Sequence, residues 1–476
     1  MVNGQLNWIY QLILSENDAV LIPPIPMPYS LGQRLLPHHL YVLSHARLRS
    51  TSTSCHFNIL PSCCESDYMS MELPPSFKGH VVALPFPTRG HVNPLIHLCK
   101  FLSSRRPTDV LITFVVTQEW LGFIQSYPKP RTIRFATIPN VIPLDAHILD
   151  DNASFTEAVA TEMRPGFEQL LDQLQPPVTA IVSDAELAWP AAVANLRNIP
   201  VALLWTMSAS FFETFRQLDI LTPAPDRLLS VHLLDEQAER IAQLCSSQLT
   251  DLRKLLRESD LRFLKIALNC IPRLAKTDYL LLNTIQELEA EQINYLKAIL
   301  PFGVYPIGPA IPFMELDSST ITVDHIIKWL DSQPNLSVLY ISMGSSFSMS
   351  RPQMEELASA LKTSEIRFLW AGRSDAGWLK EKCGDNGFPV FLDQSSNCRH
   401  IAEVWKNGRK VGGERSEDLV RKEEILKEVK MVVDVENEEW KKIREKAKEL
   451  KVLFRGAIAK AGSSDMNMDA FVRDMF

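Results

Sequence analysis

The stretch from His80 to Arg105, HVVALPFPTRGHVNPLIHLCKFLSSR, constrains the fold more than any other part of this 476-residue chain. Val81, Val82, Ala83, Leu84 and Phe86 make a short, nearly unbroken apolar run, as a strand buried on both faces requires. Thr88, Arg89 and Gly90 interrupt it. Asn93-Pro94 then marks the start of a helix with Leu95, Ile96, Leu98, Phe101 and Leu102 at helical spacing. Strand, tight loop and helix form the opening unit of a doubly wound α/β domain, whose ligand crevice lies at the carboxyl ends of its strands. This spacing places His91 in the loop, where an imidazole can face a ligand rather than the core.

The same alternation continues downstream. Apolar runs at 110–117, 133–138, 178–183, 201–205, 279–283 and 303–307 read as strands of a parallel sheet. Helical patterns lie between them, at 156–174 and 188–196 and over most of 210–275. A second series opens with a strand at 338–342, a helix at 351–362 and a strand at 366–371. There the alternation falters. A polar stretch from Gly372 to Gly387 runs straight into FPVFLDQ, and beyond Val411 the sequence is charged and helical. Its apolar residues, from Leu419 to Leu450, keep no heptad, so helices packed on a domain are expected rather than a coiled coil.

Length alone calls for two domains. Apolar content of 46% and charged content of 22% are those of a globular protein. A net charge of −7 leaves no basic footprint, which argues against nucleic acid as a partner. Eight cysteines without CxxC or disulfide-scaffold spacing indicate a reduced, cytoplasmic setting. The Cys55-His56 and Cys63-Cys64 pairs read as incidental thiols rather than metal ligands. No apolar run reaches the ~18 residues of a membrane span, and no basic leader precedes an apolar core. P-loop, GxSxG and GxGxxG motifs are absent, so kinase, hydrolase and ordinary dehydrogenase functions find no support. Residues 1–78, rich in Pro, Ser and His, are expected to be a poorly ordered extension, with a natural start at Met69 or Met71.

Several ordered motifs then carry a resemblance. HVVALPFPTRGHVNPLIHLCKFL, TQEWLGFI, AIVSDAELAWP, IPVALLWTMSAS, VYPIGPAIP, SVLYISMGSSFSMS and the closing RGAIAKAGSSDMNMDAFVRD resemble the plant UDP-glycosyltransferases of secondary metabolism. The likeness covers residues 79–476. It implies the GT-B fold, two Rossmann-like doubly wound domains, here with the C-terminal one truncated. The expected division is 79–308 for the acceptor-binding domain, 309–322 for a linker, 323–436 for the UDP-sugar domain and 437–476 for C-terminal helices. The resemblance further implies a monomer that moves a sugar, glucose above all, from a UDP-sugar to a small hydrophobic acceptor, with inversion and without metal.

By that resemblance His91 is the general base and Asp184 its partner. The chemistry agrees. An attacking hydroxyl must lose its proton near neutral pH, which suits histidine, and a carboxylate orients the ring and steadies the imidazolium. Pattern alone leaves plainer roles open, with His91 satisfying backbone groups in a turn and Asp184 capping the next helix. Ser345 matches a family serine on the nucleotide side, and Asp393 and Gln394 match a pair that hydrogen-bonds sugar hydroxyls. Each of these also suits an ordinary turn or helix cap.

One departure from the family pattern stands out. Cys383-Gly384-Asp385-Asn386-Gly387 joins directly to Phe388-Pro389-Val390-Phe391-Leu392-Asp393-Gln394. Roughly 35–40 residues of the family's donor signature are missing, with its uracil-stacking Trp, its His-Cys-Gly-Trp-Asn-Ser diphosphate segment and its ribose-binding Glu. Neither Trp370 nor Trp378 can be assumed to stand in for the stacking Trp. The loss removes a helix N-terminus that would meet the diphosphate, and little or no transfer activity is expected of the chain as written.

Overall fold

In a computed structural model of the protein, the described residues are 77–106, 109–125, 129–141, 152–221, 252–253, 255–256, 261–310, 329–342, 351–371, 400–409 and 419–476. Residues 1–76 of the expected extension, with the Cys55-His56 and Cys63-Cys64 pairs, most of the expected linker and the join at 387–388 lie outside them.

Seven strands form one parallel sheet, in the order β3-β2-β1-β4-β5-β6-β7. They are β1 (Gly79–Leu84), β2 (Val110–Thr117), β3 (Ile133–Ile138), β4 (Ala180–Asp184), β5 (Val201–Trp205), β6 (Tyr279–Leu282) and β7 (Gly303–Pro306). Every residue of β2, β4 and β5 is buried, which explains why these segments read as unbroken apolar runs rather than as alternating ones. Along β1 successive side chains enter opposite layers. Val82 and Leu84 join the core that holds Trp205, Phe211 and Phe212, whereas Val81 and Ala83 join the one that holds Leu95, Leu98 and Phe114.

Helices cover both faces: α1 (Arg89–Arg105), α2 (Gln118–Ile124), α3 (Asn152–Gln173), α4 (Pro190–Leu196), α5 (Ala209–Leu221), α6 (Leu261–Leu268) and α7 (Ala290–Ile299). A smaller unit pairs β8 (Val338–Ser342) with β9 (Arg367–Ala371), again in parallel, and packs them with α8 (Arg351–Ser364), α9 (Lys422–Val433) and α10 (Glu438–Ile458). Ile425, Val429, Val432, Trp440 and Ile443 turn inward there, so this charged stretch is packed helix with a solvated face, in keeping with its broken heptads.

The last helix, α11 (Ser463–Met475), does not stay with that smaller unit. Met468, Phe471, Val472 and Met475 sit in the same core layer as Val81, Leu95 and Ala202 of the large sheet's domain. Phe471 packs edge-on against Tyr279, the Tyr305 hydroxyl donates to Asp474 Oδ2 at 2.6 Å, and Arg105 pairs with Asp465 and Asp469. Ser464 Oγ donates a buried hydrogen bond to the carbonyl of Gly308.

The amino end of β1 carries a second buried histidine. His80 Nδ1 donates to the Pro176 carbonyl at 2.6 Å, so its Nε2 accepts from the Thr113 hydroxyl at 2.7 Å. Arg134 Nε donates to that same hydroxyl oxygen, which turns the hydroxyl proton toward the ring. Burial lowers the His80 pKa from 6.5 to about 4, and the Arg134 charge pushes it the same way. Because the folded-state value is the lower one, the stability it confers is complete above pH 6.5 and is lost as pH falls toward 4. The amount is about 3 kcal/mol, expected as a drop in urea midpoint across that window that His80→Gln flattens.

Candidate functional site

β1 and β4 are neighbours at the point where the strand order reverses, with β2 and β3 to one side of β1 and β5, β6 and β7 beyond β4. Open α/β sheets bind ligands at such a reversal, outside the carboxyl ends of the strands. Leu84 of β1 lies opposite Ser183 of β4, so the turn leaving β1 and the last residue of β4 emerge together.

Helix α1 begins earlier than the sequence suggests. Thr88 is its N-cap, in extended conformation, and Arg89 its first residue, so His91 belongs to the first helical turn rather than to a loop. The Thr88 carbonyl accepts from the His91 and Val92 amides at 3.1 and 2.8 Å and starts the helix there. Pro94 therefore falls inside α1, where it forgoes only the bond its amide would have made to the Gly90 carbonyl.

His91 Nδ1 and Asp184 Oδ2 are 2.6 Å apart, and the two side chains are 0% and 1% exposed. Asp184 closes β4, and its Oδ1 accepts from the Glu186 amide at 2.9 Å. The carboxylate thus makes a local turn with one oxygen and holds the imidazole with the other. It does not cap α4, whose N-cap is Trp189. With Nδ1–H directed at Asp184, Nε2 is the nitrogen that can receive a proton. The enclosure keeps water from competing for it.

Two neighbours of His91 are not singled out by the sequence. Thr206 follows β5 directly and brings Oγ1 within 3.4 Å of His91 Nδ1, and the Phe86 ring stands 5.4 Å from the imidazole. Thr206 is legible in principle, since it is the first residue past β5, the strand next to β4, whose last residue is Asp184. Its turn is held from behind by Glu289. That carboxylate is 3% exposed and accepts from the Ala209 and Ser210 amides and from the Ser210 hydroxyl, at 3.0, 2.9 and 2.8 Å, at the start of α5. Glu289→Ala leaves three buried donors unmet and is expected to lower stability by about 3 kcal/mol in urea unfolding, with partial recovery in Glu289→Gln.

Ser345, Asp393 and Gln394 lie outside the described residues. Among the described residues, no group of three or more His, Cys, Asp or Glu is placed to hold a metal ion, and no helix is long and apolar enough to cross a membrane.

No protein-family model matches the chain. UDP-glycosyltransferase 87A2 of Arabidopsis thaliana is 38% identical over 447 aligned positions, covering 84% of this chain and 98% of its own. The 7-deoxyloganetin glucosyltransferase of Catharanthus roseus is 28% identical, covering 87% and 98%. Among solved structures, UGT71G1 of Medicago truncatula complexed with UDP-glucose superimposes with a TM-score of 0.62 at 22% identity, covering 84% and 98%. Os79 of O. sativa in complex with UDP gives 0.66 at 20% identity, covering 83% and 100%. The Arabidopsis relative also carries residues that this chain lacks. Since 84% of 476 residues is about 400, about 47 of the 447 aligned positions have no residue of this chain opposite them.

Proposed function

Because the chain belongs to family 1 of the UDP-glycosyltransferases and has their GT-B fold, we propose that it is built to transfer glucose from a UDP-sugar to a hydroxyl of a small hydrophobic acceptor by inverting displacement, and that as written it does so weakly or not at all. In this reading His91 Nε2 takes the acceptor proton as the oxygen attacks the anomeric carbon. Asp184 fixes the ring's tautomer and stabilises the imidazolium that forms. The observation that supports it is the buried 2.6 Å contact between His91 and Asp184 at the carboxyl ends of adjacent strands.

On the donor side Ser345 meets the diphosphate, and Asp393 with Gln394 meets the sugar hydroxyls. No metal takes part, and the enzyme works as a cytoplasmic monomer, with 79–308 holding the acceptor and 323–436 the donor. The weakness comes from the join at Gly387-Phe388, and the unmatched positions of the Arabidopsis relative support it. The same gap favours a second reading, a non-catalytic remnant that keeps the acceptor half. Isothermal titration with UDP-glucose tests both. Binding no tighter than millimolar is expected, micromolar binding overturns the weakened-donor reading, and complete absence of binding favours the remnant. Sequencing the transcript across codons 384–390 establishes whether the join is encoded.

A further inference from the structure

Asn283 is the first residue past β6, and it bonds in two directions along the carboxyl edge of the sheet. Its amide donates to the Trp205 carbonyl at 3.0 Å, at the peptide that leads into Thr206. Its Oδ1 accepts from the Ala310 amide at 2.7 Å, 27 residues away in sequence. Ala310 is 1% exposed, so its N–H has to find an acceptor inside the protein, and a side chain supplies it where no strand does. Asp184, Thr206 and Asn283 thus stand in a row at the ends of three neighbouring strands, β4, β5 and β6.

Gly308 to Ala310 is where the chain leaves the large sheet for the smaller unit. The exit is closely held. The Ile307 amide donates to the Leu282 carbonyl at 3.0 Å and the Gly308 amide to the Thr284 carbonyl at 2.9 Å. A Cβ at Gly308 would lie 2.5 Å from the carbonyl carbon of Asn283 and from the nitrogen of Thr284, so only glycine lets the backbone pass this close. The connection from α10 into α11 comes to the same place. Ser464 Oγ donates to the Gly308 carbonyl, and Ser463 Oγ donates to Glu287 Oε2 at 2.8 Å. The turn from Asn283 to Glu289 therefore bonds to both connections on one side, and to the Trp205 carbonyl and the start of α5 on the other.

We infer that Asn283 is a positioning residue. It fixes the chain's exit toward the smaller unit in register with the Trp205-Thr206 peptide, and so sets where Thr206 stands against His91 Nδ1. A base on one unit and a donor on the other react only if their placements agree to about 1 Å, which gives such a contact its value. Its part in transfer rests on His91 being the base, whereas the register it holds does not.

The full chain, isotopically labelled at its histidine ring nitrogens, tests this by NMR and hydrogen exchange without turnover. In Asn283→Ala the Ala310 amide loses its acceptor and is expected to exchange about tenfold faster. The His91 ring signals, identified by their loss in His91→Gln, are expected to shift, while those of His80 at the other end of β1 stay in place. Asn283→Asp keeps an oxygen toward Ala310 and is expected to restore both readouts. Gly308→Ala crowds the exit with Asn283 intact, is expected to shift the same signals, and serves in place of Asn283→Ala if that variant does not fold. An unmoved His91 ring in the folded variant marks Asn283 as a local brace and overturns the assignment, as does a shift that His80 shares equally. Whether His91 is the base is read separately from the rate of His91→Ala, so neither result decides the other.

Discussion

Inserting between Gly387 and Phe388 the roughly 35–40-residue donor segment that the family pattern calls for is expected to raise glucosyl transfer by at least about 10⁴-fold. One preorganised donor to a developing anion is worth about 10²–10³ in rate, and a helix N-terminus facing a leaving diphosphate supplies more than one. Uracil stacking and ribose contacts add ground-state affinity, so titration of the repaired chain with UDP-glucose is expected to move from millimolar or weaker into the micromolar range, about 4 kcal/mol. Transfer of labelled glucose to a panel of phenols and terpenoid alcohols measures the rate. A repaired, folded chain that still fails to bind UDP-glucose refutes the donor-side account, and the acceptor half then has to be understood as a binding module.

In that repaired background, His91→Ala is expected to lower kcat by about 10²–10⁴ while leaving acceptor KM within a few-fold. The ring is needed only while the proton moves, so its loss falls on the transition state rather than on binding. Asp184→Asn keeps the shape of the contact but turns an acceptor into a group that can also donate, which lets the ring adopt the wrong tautomer. A loss of about 10²–10³ is expected. If His91→Ala keeps more than about a tenth of the wild-type rate, the ring lies beside the chemistry and does not perform it.

Much of this arrangement is readable in the chain because parallel strands leave a plain signal. A strand buried on both faces has to be apolar at every position, and Val110–Thr117 and Val201–Trp205 cannot be mistaken for solvent-facing segments. His91 and Asp184 stand out for a related reason, as each polar residue arrives where an apolar run stops. The start of α1 is harder to place because Asn93-Pro94 looks like a helix beginning, whereas the carbonyl of Thr88 has already captured two amides. Thr206 stays hidden because a threonine beside a strand end has many ordinary uses, and only position distinguishes it. The partner of α11 is beyond reach for a different reason. Met468, Phe471, Val472 and Met475 announce an amphipathic helix, but spacing says nothing about which core receives it.

That final docking has a consequence for how the molecule is made. The large sheet emerges from the ribosome well before Ser463–Met475, yet Phe471 fills a place among its own residues and is fully enclosed there. The nascent first half must therefore wait with an open apolar seam until the distal helix is translated and folds back, a period in which that seam is available to chaperones or to neighbouring chains. Expressing residues 77–310 without a covalently appended 463–476 is asking for a half-sealed vessel.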